Sequence, residues 1–233
     1  MSFADTVKDF LFFLMAPTAL RPERSQIGLS NIIGLFLIIF FADLILFGSI
    51  MHILGIDQMD HKIDKALVEN GKIFIIIAAV IVAPLTEEFL FRFPLRHCRA
   101  TFFLLTTSFI YILLEGLNLN IHVVLNVIIV LFVATLLTLV IMDKAFGWWE
   151  RIFKNYFPLI FYYVVAVFAF LHIYNFDIST VNWYYAPFMV IPQFILGIYL
   201  GYVRLRNNIW SSVLIHAINN IIPLILFFSI GVE

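Results

Sequence analysis

An all-α, polytopic transmembrane helix bundle is the fold class that this sequence predicts, and three observations predict it. Hydrophobic residues make up 63% of the 233 positions and charged residues only 12%, against roughly 45–50% and about 25% in an ordinary soluble domain. Mean hydropathy is +1.04, with 27 Phe among the apolar residues, more greasy surface than a globule in water can hide. Apolar runs recur at about 20 residues, the length at which a helix crosses the hydrocarbon of a bilayer.

The elements follow in chain order. Asp5 to Leu14 is too short to span. It sets Asp5, Lys8 and Asp9 beside Phe10, Leu11, Phe12, Phe13 and Leu14, which suits a helix lying in the membrane interface. Seven spans are then predicted, over 30–54, 72–94, 99–117, 121–142, 157–174, 185–203 and 209–230. Between the fourth and fifth, the stretch 146–157 carries Trp148, Trp149, Arg151, Lys154 and Tyr156. Those aromatic and basic side chains belong at the headgroup level. No repeat or low-complexity linker divides the chain, so residues 1–233 read as a single membrane domain.

Charge sets the expected orientation. With the N-terminus in the cytoplasm, Lys8, Arg21, Arg24, Arg96, Arg99, Lys144, Arg151, Lys154, Arg204 and Arg206 all fall inside. Only Lys62, Lys65 and Lys72 fall outside, in a loop that also holds Asp57, Asp60, Asp64 and Glu69. This is the positive-inside bias of a plasma (inner) membrane protein. The formal net charge of -1 and the lack of a basic stripe argue against nucleic acid as a partner. A single cysteine, Cys98, excludes an internal disulfide. Met1 to Phe10 carry no cleavable secretory signal of the usual kind.

Ionisable groups inside hydrocarbon cost roughly 2.5–3.5 kcal/mol each on insertion scales and are functional candidates for that reason. The second span holds the densest set, in Ala83-Pro84-Leu85-Thr86-Glu87-Glu88-Phe89-Leu90-Phe91-Arg92. Glu88 and Arg92 are four residues apart, share a helix face and can pair. Glu87 points about 100° away and stays outside that pair, available as a general base toward a water. His172 ends the fifth span, on one face with Phe168; His216 and Asn220 share a face of the seventh. Polar groups in a membrane bundle turn inward and seek each other. If these faces meet, they supply a base, imidazoles that can orient a water or bind a metal, and an amide donor for an oxyanion. That inventory suits hydrolysis of an amide.

The motifs Glu87-Glu88-x-x-x-Arg92, Phe168-x-x-x-His172 and His216-x-x-x-Asn220 occur in this order on separate spans. With Phe194-x-x-Gly197-x-x-x-Gly201 before the last of them, they resemble the signature of the CPBP family. This is the family of CAAX prenyl proteases and of bacteriocin-processing or immunity proteins, also called the Abi family. The resemblance covers roughly residues 73–226. It implies an intramembrane endopeptidase that cuts a peptide or membrane-anchored protein near the cytoplasmic face. By position it implies that Glu87 activates the water with help from His172, that Glu88 and Arg92 hold the local structure, and that His216 and Asn220 stabilise the oxyanion. Members are classed as metalloproteases, although a glutamate-dependent mechanism without a metal has also been argued. Glu87, His172 and His216 are therefore the candidate ligands for a divalent metal such as zinc.

Two readings compete with the peptidase: a noncatalytic family member acting as an immunity or scaffold protein, and a transporter using the buried carboxylates as a relay. The inverted repeats of a transporter are not visible. The chain departs from the family pattern in having two extra spans, the third and fourth, between Arg92 and Phe168. A layout of equal-depth spans puts Glu87 and His216 in the cytoplasmic half and His172 in the outer half, so the fifth span must tilt or shift for the three to meet. Asp43, Glu115 and Asn118 are expected to make interhelical hydrogen bonds, and His52, His61, His97 and His122 to be solvated. The aromatic loop 174–185 could cap the cavity.

Overall fold

The structure, a computed structural model, describes residues 1–18, 27–54, 71–117, 123–176 and 183–229. Among them it is helical, with no strand. Helix α1 is Phe3–Met15, α2 Leu29–Leu54 and α4 Cys98–Gly116; α5 is Val123–Asn155, α6 Phe157–Leu171, α7 Ile191–Arg206 and α8 Ile209–Ser229. Helix α3 is built of three contiguous pieces, Lys72–Ile77, a widened π-helical turn Ala78–Val82, and Ala83–Phe91. The stretches Leu29–Leu54, Lys72–Arg96, Leu125–Asn155, Phe157–Asn175 and Ile209–Leu226 are long and apolar enough to cross a membrane; Cys98–Leu114 is apolar but shorter. Their outward faces carry side chains such as Ile45, Ile73, Phe132 and Leu139, all exposed, as lipid-facing surfaces require.

The sixth expected span is a different object. It begins with a 3₁₀ turn, Trp183–Tyr185, and a single helical turn, Ala186–Met189, and becomes a continuous helix only at Ile191. Pro187 and Pro192 each sit in the first turn of their helical piece, where a residue without an N–H is tolerated but cannot extend a preceding helix. From Tyr199 to Arg206 every residue of α7 is buried. This helix packs against α2, α6 and α8 and forms the axis of the bundle rather than part of its lipid coat.

Close packing on that axis depends on two glycines. A Cβ at Gly201 would stand 2.5 Å from the Phe161 ring, and one at Gly197 would meet Phe168 and Val165 at 3.1 Å. Gly201→Ala should therefore destabilise the bundle by about 1–3 kcal/mol through overpacking, seen as a lower thermal midpoint in detergent; an unchanged midpoint would show that α6 can retreat freely.

Helix α1 is anchored as well as amphipathic. Ser2 and Asp5 form a reciprocal capping box, and the bonds from Ser2 hold the Asp5 carboxyl below its ordinary range. Phe10 and Phe13 pack edge-on against Tyr202. Arg206 donates to Asp9 through Nε at 2.8 Å and Nη2 at 3.2 Å, and the Tyr202 hydroxyl donates to the same carboxylate at 2.9 Å. The stretch 146–157, expected to be a separate interfacial helix, continues α5 beyond a local break at Ala145. Trp149 and Phe153 turn inward while Trp148 and Tyr156 stay exposed, which keeps the amphipathic character that was expected.

Candidate active site

The widened turn in α3 lies directly before the carboxylate pair, and π-turns of this kind recur at functional positions. The next piece, Ala83–Phe91, presents Glu88 and Arg92 to the bundle interior, fully buried, and leaves Glu87 half-buried beside them. Glu88 is held from three sides. Its Oε1 accepts from His216 Nδ1 at 2.9 Å and lies 3.5 Å from Arg92 Nε; its Oε2 accepts from the hydroxyl of Ser212. The Arg92 guanidinium lies flat over Phe168, 3.8 Å from the ring centre, a cation–π contact in a site stripped of water. Phe168 also packs edge-on to Phe91 and against the His172 ring.

His172 caps the C-terminal end of α6. Its Nδ1 is 2.8 Å from the carbonyl oxygen of Phe168. A carbonyl can only accept, so Nδ1 carries a proton, and in the neutral ring Nε2 presents its lone pair. That Nε2 is 3.5 Å from Glu87 Oε2, and His216 Nε2 is 3.7 Å from the same oxygen. Glu87 Oε2 is buried without a hydrogen-bond partner. The structure thus gathers Glu87, Glu88, Arg92, His172 and His216 into one cluster on three helices. Asn220 lies one turn beyond His216 on α8 and reaches into the widened turn of α3, where its Nδ2 donates to Ala79 O at 2.8 Å; its Oδ1 accepts from Asn219 at 3.3 Å.

The depth mismatch is settled by a shift of α6. Phe168 pairs with Arg92 and His172 with Glu87. Phe161 meets Gly201 beside Leu95, and Phe157 stacks edge-on with Phe153. The first turns of α6 therefore lie beyond the end of α3, and the whole helix is displaced in that direction relative to an equal-depth layout.

Two imidazoles and a carboxylate are the donor types of an open zinc site. Among the described residues, however, no three His, Cys, Asp or Glu side chains converge closely enough to hold a metal ion. As placed, Glu87, His172 and His216 do not fit a metal centre.

Several expectations resolve differently. Asp43 Oδ1 is buried with no hydrogen-bond partner, so the interhelical bond expected there is not made by this oxygen. It lines a small cavity of about 20 Å³ with Asn219 and Tyr199. His52 and His97 are exposed; burial of part of the ring and the positive charge of Arg204 and Arg96 hold His97 below the ordinary histidine range. His61, His122, Asn118, the Glu115 side chain and residues 177–182 of the aromatic loop lie outside the described residues. Two participants went unrecognised in the sequence, Ser212 and the Ala79 carbonyl. The serine had a legible signal, since Ser212, His216 and Asn220 repeat at four-residue spacing on one helix face; the carbonyl had none.

A cavity of about 660 Å³ opens between α3, α4, α5 and α6. Its walls include Leu90 and Phe91, which follow the carboxylate pair, and Leu171 and Ile173, which flank His172. The two extra helices supply its far wall. No curated protein and no solved structure matched the chain. A family model described as type II CAAX prenyl endopeptidase Rce1-like matches residues 69–222, the stretch that holds every side chain of the cluster from Glu87 to Asn220, and the chain belongs to this Rce1-like family.

Proposed function

We propose that the chain hydrolyses a peptide bond of a membrane-anchored substrate, using a water activated by Glu87. Family membership and the apolar spans make it an integral membrane protein of a CAAX-type endopeptidase family. The observation that carries the reading is the environment of Glu87 Oε2: buried, without a hydrogen-bond partner, and faced by two imidazole nitrogens. A water placed among these acceptors can donate to two of them at once, Glu87 and one imidazole, and keep its own oxygen turned toward a substrate carbonyl.

In this reading Glu87 takes a proton from the water as its oxygen bonds to the substrate carbonyl carbon, and returns that proton to the leaving amine as the C–N bond breaks. His172 and His216 orient the water. The second N–H of the Asn220 amide is free to face the developing oxyanion, because Ala79 O uses only one. The apolar part of the substrate lies in the 660 Å³ cavity beside the cluster. The proposed setting is the cytoplasmic side of the plasma membrane, with the N-terminus inside.

The test is release of a C-terminal peptide from a lipid-modified cysteine reporter by the purified protein in liposomes. Release by the wild type supports the reading; no release from any lipidated reporter favours a noncatalytic immunity or scaffold role. If Glu87 activates the water without a metal, turnover should stay within about twofold in 1,10-phenanthroline or EDTA, where a metal-dependent site loses its metal. Loss of activity that zinc restores would overturn that part of the proposal.

A further inference from the structure

We propose that Ser212 is a positioning residue that keeps His216 aimed at Glu87. The inference rests on the peptidase reading of the same site but concerns a side chain outside the family signature. Ser212 lies on α8 one turn before His216 and is completely buried. Its hydroxyl donates to Glu88 Oε2 and also lies 3.0 Å from Leu200 O. With one proton to give, the hydroxyl serves the stronger acceptor, the carboxylate.

The consequence is geometric. His216 and Arg92 both hold Oε1 of Glu88. A turn about the last torsion, which is broad and roughly two-fold, moves both oxygens at once, so each contact restrains it and the loss of one loosens the carboxylate. Ser212 is the group that fixes the other oxygen among the described residues. A competitor is at hand, because Nη1 and Nη2 of Arg92 are buried without hydrogen-bond partners. Released from Ser212, Glu88 can turn toward the guanidinium, and His216 Nδ1 loses the acceptor that fixes its tautomer and ring plane. Nε2 then no longer faces Glu87 as a reliable lone pair.

Ser212→Ala should lower kcat by about 10- to 100-fold, the effect of one hydrogen bond to a charged group, with KM within about twofold because no substrate contact is touched. Ser212→Thr, which keeps the hydroxyl, should recover most of the rate. In a double-mutant cycle with His216→Ala, the second substitution should add little, since both act through one imidazole. A readout independent of turnover separates this proposal from the reading on which it rests. In protein labelled with ¹⁵N-histidine, the His216 signal, assigned by its loss in His216→Ala, should report a single Nδ1–H tautomer in wild type and a mixture in Ser212→Ala. A moved tautomer in a protein that cleaves nothing would support the positioning role and defeat the peptidase reading. An active protein in which Ser212→Ala keeps the wild-type kcat and an unmoved His216 signal would overturn the proposal.

Discussion

Glu87→Gln is expected to reduce peptide release by about 100- to 10,000-fold, the range that a positioned general base contributes, while the protein stays folded. Glutamine keeps the shape and the polar contacts but cannot accept the proton of an attacking water. The fold should tolerate it because Glu87 is outside the buried ion pair; its neighbours are two imidazole nitrogens at 3.5 and 3.7 Å, both longer than a formed hydrogen bond. A thermal midpoint within a few degrees of wild type, measured on the same preparation, would confirm that chemistry rather than folding was lost. Retention of most of the wild-type rate would remove Glu87 as the base. His172→Ala should lower the rate in the same assay by less, since the glutamate still holds the water.

Arg92→Leu should have the largest effect on stability. The guanidinium compensates a fully buried carboxylate at 3.5 Å and stacks on Phe168 at 3.8 Å. Its side chain is itself all but inaccessible. Removing one member of a buried charge pair costs about 3–5 kcal/mol, because the other charge is stranded. In a chain of this size about 2–4 °C of midpoint shift accompanies each kcal/mol, so a drop of roughly 6–20 °C is expected in detergent. Arg92→Lys should fall between, since an ammonium keeps the charge but not the flat face that Phe168 covers. A midpoint unchanged in Arg92→Leu would mean that Glu88 draws its compensation from His216 and Ser212 instead.

Much of this arrangement is legible before any coordinate is known, because hydrocarbon penalises polar side chains so heavily that few survive without a purpose. Glu87, Glu88, Arg92, His172 and His216 stand out for that reason, and the structure brings all five together. Helix identity is equally readable where a long apolar run decides it, as in α2 and α8. Periodicity could not reveal relative depth: the meeting of His172 with Glu87 depends on how far α6 slides, which Gly197, Gly201 and the Phe161 and Phe168 rings set by their fit. The bounds of helix α7 were misjudged for a related reason. Its apolar count looks like a span, but two prolines delay its start and neighbours cover its sides. The bond to Ala79 was invisible, because a backbone oxygen has no letter in the sequence and becomes available only through local geometry.

The widened turn at Ala78–Val82 has a further consequence for how α3 divides its obligations. Counting back from the inward-facing Pro84, Glu88 and Phe91 at ordinary helical pitch, about 3.6 residues per turn, would aim Ile81, Ile77 and Ile73 at the interior. Those side chains are instead 53%, 48% and 76% exposed, and Ile75 is the buried one. The widened turn puts the two ends of the rod out of phase, so one end can be dressed for oil while the other is aimed at chemistry. Shortening that turn by a single residue would force the two ends back into step, and either the greasy coat or the carboxylates would then point the wrong way.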